Sequence, residues 1–199
     1  MKTIGILLAA GASQRMGRPK QLIQIGQKPL VIHSLDTLLE AHLAKVILVL
    51  GYSNEEILKL APTSKKLVTV INNNYANGMS SSIKTGMAHL PPNTDAVMIS
   101  LADQPFITTS IINKLIDCAS VTTKNIVAPS WQEKRGHPVI FKKKYFQELL
   151  QLSRDEGGRS ILNMHHHDIL PVNVTSTEIL VDINTPKDLH IAIQKYKQI

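Results

Sequence analysis

Apolar, β-branched runs alternate along this chain with segments whose apolar residues recur every three or four positions. Residues 3–10, 45–50, 67–71, 95–101 and 125–129 read as buried strands, several of them apolar on both faces. Residues 30–41, 54–61, 79–89 and 108–119 have helical spacing, with Thr108 and Thr109 opening the last of them. This alternation predicts an α/β fold, a mostly parallel sheet flanked by helices on both faces. The pattern loosens after Pro129. Residues 137–141, 168–172 and 178–181 read as extended, 142–151 and 158–164 as helical, and 185–197 as a final helix opened by Thr185-Pro186. No repeat, low-complexity tract or linker breaks the chain, so one domain over residues 1–199 is expected.

Parallel sheets bind ligands at the C-terminal ends of their strands, so the loop after each strand matters most. The first strand runs into Gly11-Ala12-Ser13-Gln14-Arg15-Met16-Gly17-Arg18-Pro19-Lys20. The glycines of this loop let backbone N–H groups approach phosphate oxygens, and its cations neutralise charge. It is not a Walker A loop, because Arg18-Pro19 comes after Gly17. It is not a dinucleotide fingerprint either, because Ser13 stands where that motif needs its second glycine. The third strand leads into Asn72 to Ser82 and the fourth into Ala102-Asp103-Gln104-Pro105. Three small or polar strand ends in one sheet predict a site.

Composition narrows the ligand. An excess of 22 Lys and Arg over 15 Asp and Glu, a net charge of +7, favours anionic ligands. Aromatic residues at 4% are too few to stack successive bases, so no nucleic-acid partner is expected. The run Lys142-Lys143-Lys144 reads as a solvated helix start rather than a polyanion patch. Ile4 to Ala12 after Lys2 has some look of a signal peptide, but the run is short and basic residues come next, so a buried strand fits better. No stretch has the length of a membrane helix, and no membrane partner is expected. The lone Cys118 excludes an intrachain disulfide, and a reducing, cytoplasmic compartment is the natural reading. On its apolar helical face this thiol reads as structural. His165-His166-His167 point different ways and are not expected to share one ion.

Leu8-Ala9-Ala10-Gly11-Ala12-Ser13-Gln14-Arg15-Met16-Gly17-Arg18-Pro19-Lys20 resembles the signature of nucleotidyltransferases related to molybdenum cofactor guanylyl- and cytidylyltransferases. The resemblance continues through Gly78-Met79-Ser80-Ser81-Ser82-Ile83, Asp103-Gln104-Pro105, Gly136-His137-Pro138 and Asp182-Ile183-Asn184-Thr185-Pro186. It covers essentially the whole chain and implies the Rossmann-like fold of nucleotide-diphospho-sugar transferases. The first motif is shared with sugar-phosphate nucleotidyltransferases. Gly-His-Pro points to the cytidylyltransferase branch, which also contains purine-catabolism and hydroxylase-accessory proteins.

The resemblance implies a magnesium-dependent transfer of a nucleoside monophosphate from an NTP to a phosphate-bearing, molybdopterin-type acceptor, with a molybdoenzyme client as a further partner. It assigns catalysis to Arg15, Lys20 and Asp103. Nucleotide binding falls to Leu8, Ala9, Ala10, Gly11, Arg15 and Lys20, to the turn Asn77, Gly78, Met79, Ser80, Ser81 and Ser82, and to Asp103. Mg²⁺ would be held by Asp103, with Asp182 as second candidate, since this ion prefers carboxylate and phosphate oxygens. Arg135, His137 and Arg159 would face the acceptor. Ala10, where guanylyl relatives tend to have Gly, favours CTP. Asn184, where cytidylyl relatives often have Asp, points the other way. A GTP-using enzyme, a sugar-phosphate nucleotidyltransferase and a non-catalytic maturation chaperone are the alternatives.

Overall fold

The computed structural model describes residues 1–13, 16–153 and 157–196. In chain order the strands and helices are β1 (Thr3–Ala9), β2 (Gln24–Ile25), β3 (Lys28–Pro29), α1 (Leu30–Glu40), β4 (Lys45–Leu50), α2 (Asn54–Leu60), β5 (Leu67–Ile71) and α3 (Met79–Ala88). After them come β6 (Ala96–Leu101), α4 (Thr109–Val121), β7 (Ile126–Trp131), β8 (Lys134–Arg135), β9 (Val139–Lys142), α5 (Phe146–Gln151), α6 (Arg159–Met164), β10 (Ile169–Asn173) and α7 (Pro186–Tyr196). The main sheet runs β10-β7-β9-β6-β1-β4-β5, with β8 on β7. This is the expected mostly parallel α/β fold.

Every residue of β1 is buried, because the sheet is covered on both sides. Leu7 and Ala9 join the cluster under α1 and α4, whereas Ile4, Ile6 and Leu8 join the opposite one with Ile83 of α3 and Leu149 of α5. Burying each such aliphatic side chain contributes about 1.5–3 kcal/mol. Thr108 caps α4 by accepting from the Ile111 amide at 3.3 Å. Asp188 and Thr185 close α7 reciprocally, Oδ2 accepting from the Thr185 amide at 2.8 Å and Thr185 Oγ1 from the Asp188 amide at 3.2 Å. Among the described residues, no helix is long and apolar enough to cross a membrane.

Beyond Pro129 the structure departs from expectation at residues 178–181 and at Lys142. The strand expected at 137–141 forms as β9 and is antiparallel to both neighbours, β6 and β7. Only residues 132–138 separate it from β7, short of the dozen or so that a parallel crossover takes. Residues 178–181 do not form a strand; a 3-10 turn covers Thr177–Leu180, with Ser176 Oγ accepting from the Glu178 amide at 3.2 Å. Of the lysine run, Lys143 and Lys144 are the exposed helix start expected, in the 3-10 turn Lys143–Tyr145 that leads into α5, and Lys142 departs from it. Lys142 ends β9 and donates to the Thr122 carbonyl at 2.7 Å, and Lys144 reaches Asp168.

Asp168, 7% exposed, stitches β7, β10 and the start of α5 together. Its carboxylate accepts from Lys144 Nζ and Tyr145 Oη at 2.8 Å each, and from the Asn125 amide at 3.0 Å. Burial alone would raise its pKa, but the bonds from Lys144, Tyr145 and Asn125 outweigh it and hold the group well below the usual carboxylate range. A depressed folded-state pKa gives stability that is present above the unfolded value, about 3.9, and lost as pH falls. Asp168→Asn should therefore cost about 2–3 kcal/mol at neutral pH. The gap to wild type in urea titrations should shrink progressively below about pH 4.

Candidate functional site

The loop after β1 turns at Ser13 and Gly17, both with positive φ, 55° and 65°. Arg15 lies outside the described residues. Lys20 opens a short 3-10 turn, and its ammonium donates to Asp103 Oδ2 at 2.5 Å and to Asn184 Oδ1 at 2.8 Å. One cation therefore joins the ends of β1 and β6 to the segment before α7, across 83 and 164 positions of sequence.

Asp182 reaches the same place from the Thr177–Leu180 turn, and its Oδ1 accepts from Gln104 Nε2 at 2.6 Å. Two backbone bonds hold it there. The Ile183 amide donates to the Asp103 carbonyl at 3.0 Å, and the His137 amide donates to the Ile179 carbonyl at 3.1 Å. Gly136 permits this seam, because a Cβ on it would collide with the Ile179 carbonyl oxygen. Burial, and next the charge of Asp103, raise the pKa of Asp182 against the opposing pull of Gln104, His137 and Lys20. Asp103 Oδ1, Gln104 Oε1 and His137 Nδ1 are all buried without a hydrogen-bond partner. Burial lowers the His137 pKa although the Asp182 and Asp103 charges raise it.

A cleft of about 730 Å³ opens beside these groups. Gln104, Arg135, His137, Arg159, Asn163 and Asp182 are among its lining residues, so the three residues expected to face an acceptor line one cleft. Met79 contributes from the start of α3. The preceding turn, Tyr75–Asn77, leads to Gly78 at φ 92°. Ser80 and Ser82 are buried. Asn72 donates to Ser81 Oγ at 2.8 Å and Ser82 Oγ at 3.0 Å, so these hydroxyls are engaged within the protein while Asn77 is exposed.

Gly51 links this turn to the first loop: a Cβ there would lie 2.7 Å from both the Ala10 carbonyl oxygen and Tyr75 Cβ. Ala10 is 3% exposed. Its methyl lies against Gly51, so any influence on a bound base passes through the loop backbone. The sequence reading missed Gly51, Asn72, Gln104 as an anchor of Asp182, and Gln21 beneath the first loop. Asn72 and Gln104 sat inside motifs already singled out; the others had no local signal. His165, just past the end of α6, is engaged elsewhere, its Nε2 held by Glu148 of α5 at 2.8 Å. Among the described residues, no three His, Cys, Asp or Glu side chains gather as a metal cluster.

The family model of the MobA-like NTP transferase domain matches residues 5–169. The chain belongs to that family. This MobA-like nucleotidyltransferase is 27% identical over 194 residues to the molybdenum cofactor cytidylyltransferase of Escherichia coli, covering 98% of this chain and 97% of the other. It is 25% identical over 199 residues to a probable molybdenum cofactor guanylyltransferase of Pyrococcus horikoshii, covering 96% and 99%. A Mycobacterium tuberculosis protein of known structure shares the fold, with a TM-score of 0.85 at 24% identity over 98% of each chain. The manganese complex of that protein matches with a TM-score of 0.80 at 23% identity, over 98% of this chain and 99% of the other.

The seam at Gly136 supplies a test. Gly136→Ala should push the Ile179 carbonyl away, at an overpacking cost of about 1–3 kcal/mol. Because the displaced segment carries Asp182, activity should fall by about tenfold or more even where the protein remains folded, read as kcat/KM beside the melting temperature.

Proposed function

We propose that this transferase moves CMP from CTP to the phosphate of a molybdopterin-type acceptor and releases pyrophosphate. The observation that carries the reading is the junction of two sites. Lys20 and Asp103 stand at the strand ends with Asp182 brought beside them, and the cleft with Arg135 and Arg159 opens next to these groups. A cavity of about 730 Å³ suits one organic molecule of pterin size, and its arginines suit a phosphate.

In this reading the triphosphate lies on residues Leu8 to Gly11 with Arg15 and Lys20. The Lys20 ammonium neutralises Asp103, and the incoming triphosphate offers it a denser set of oxygens. Arg135, His137 and Arg159 hold the acceptor so that its phosphate oxygen lies in line with the α-phosphorus. That oxygen attacks, the bond from the α-phosphorus to the bridging oxygen breaks, and pyrophosphate leaves with the electron pair. No covalent protein nucleophile takes part. The Asn77–Ser82 turn meets base and ribose through Asn77 and the backbone around Gly78.

The residues fit a divalent cation. Asp103 Oδ1 and Gln104 Oε1 are buried acceptors without donors, and burial together with the Asp103 charge raises the proton affinity of Asp182. Asp103 and Asp182 would hold Mg²⁺, which when bound supplies charge neutralisation for the reacting phosphorus and the leaving group. The manganese complex of the mycobacterial neighbour supports a divalent metal in this fold.

CTP is favoured by Ala10 and by the cytidylyltransferase relative. GTP has its own support in Asn184 and in the guanylyltransferase relative. Pyrophosphate release with CTP or GTP and a molybdopterin-type acceptor tests the proposal; turnover only with a sugar phosphate, or none with any acceptor, would sink it. The ratio of kcat/KM should favour CTP. Ala10→Gly should narrow it, by about 1–3 kcal/mol at most.

The two charged groups at the strand ends can be tested one at a time. Asp103→Asn should abolish turnover at all Mg²⁺ concentrations while the melting temperature remains near wild type. Lys20→Ala should lower kcat/KM by one to two orders of magnitude, about 2–3 kcal/mol of lost charge stabilisation, with cytidine binding retained. Full activity in either variant would remove that residue from the machinery.

A further inference from the structure

Gln21 is a polar side chain that the site does not explain. It is 3% exposed and lies under the loop after β1. Both of its amide hydrogens are used: Nε2 donates to the Ala9 carbonyl at 3.2 Å and to the Gly11 carbonyl at 2.7 Å. Oε1 accepts from Ser13 Oγ at 3.2 Å, and Ser13 Oγ accepts in turn from the Lys20 amide at 3.1 Å. The orientation of the carboxamide is set by its partners, since two carbonyl oxygens can be met only by N–H donors.

The neighbouring carbonyls are tied down as well. The Leu8 oxygen accepts from the Ala102 amide at 3.2 Å, the Ala10 oxygen from the Tyr52 amide at 3.1 Å, and the Ser13 oxygen from the Met16 amide at 2.8 Å. In contrast, the amides of Gly11, Ala12 and Ser13 donate to no described residue, and Gly11 is exposed. From Leu8 to Ser13 every carbonyl except that of Ala12 is thus engaged within the protein, while the amides of Gly11, Ala12 and Ser13 are open. That is the polarity an oligophosphate requires, because a carbonyl turned outward would repel it and an amide turned outward would bind it. Gln21 supplies two of the inward anchors at once, one on each side of Ala10.

We propose that Gln21 is a positioning residue for the triphosphate: it holds the Ala9 and Gly11 carbonyls inward so that the loop amides face the phosphates. The inference rests on the transferase reading above. Without the carboxamide, the Ala9 and Gly11 carbonyls lose their donors and turn toward water, which here means toward the ligand.

The test measures binding of CTP, inorganic tripolyphosphate and cytidine to the full chain by calorimetry, with circular dichroism and melting to check folding. Gln21→Met removes both donors at similar volume. It should weaken CTP and tripolyphosphate each by about tenfold or more and change cytidine by less than about twofold. Gln21→Asn retains the carboxamide on a shorter stem and covers the case in which the methionine variant fails to fold; it should show the same phosphate-selective loss. Ser13→Ala removes the donor to Gln21 Oε1 and the acceptor of the Lys20 amide but leaves both carbonyl anchors in place, so its loss of tripolyphosphate binding should be smaller than that of Gln21→Met. Unchanged tripolyphosphate binding in the Gln21 variants overturns the proposal, as does an equal loss for cytidine. Wild-type protein that binds no tripolyphosphate overturns the transferase reading itself.

Discussion

Two main-chain hydrogen bonds, from the Ile183 amide to the Asp103 carbonyl and from the His137 amide to the Ile179 carbonyl, hold residues 179–184 across the ends of the central strands. Most of the site depends on that seam. Through it Asp182 meets Gln104, Asn184 meets Lys20, and Ile183 joins the small apolar cluster with Ile23, Ile25 and Leu30 behind the first loop. Backbone bonds suit this task because they hold position whichever side chains the segment carries. The seam demands a residue without Cβ at Gly136, and the turn between β8 and β9 has one there.

Around the seam the electrostatics are uneven. Asp103, Asp182 and Gln104 bring more buried acceptor oxygens than donors, and Lys20 meets Asp103 directly. Such an arrangement is costly by itself and favourable beside a cationic ligand. The first loop has the opposite character, with the amides of Gly11 to Ser13 open and the carbonyls of Ala9, Ala10, Gly11 and Ser13 engaged. The two halves are complementary to a metal-bound triphosphate, whose oxygens need donors and whose cation needs acceptors.

The parts of the fold legible in the sequence were those with a local period. Runs such as Thr3–Ala9 and Lys45–Leu50 are apolar on both faces because helices cover both sides of the sheet, and α1, α3 and α4 carry regular stripes. Beyond Pro129 local pattern gave way to tertiary demands. Ile179 is apolar and buried, and so reads like a strand, but it belongs to a turn that packs on Gly136. Lys144 reads as a surface cation and is exposed, and only the fold shows that it also pairs with the buried Asp168 from a neighbouring element. The antiparallel direction of β9 was set by the short connection from β7.

The same division holds for the site. The sequence by itself determined the chemical inventory at the strand ends: the glycine-bearing loop with Lys20, the Asp103-Gln104 pair, and the Asp182 to Thr185 stretch. These could be read because phosphate and metal chemistry needs particular residue types, and those types recur in short motifs. Which of them meet was decided only by the tertiary structure. Lys20 to Asn184 spans 164 positions, and no local propensity encodes such a pairing. Gln21 and Gly51 were silent for the same reason. Each acts on backbone atoms of distant or folded-back segments, and a hydrogen bond to a carbonyl leaves no trace in the identity of the residue that owns it.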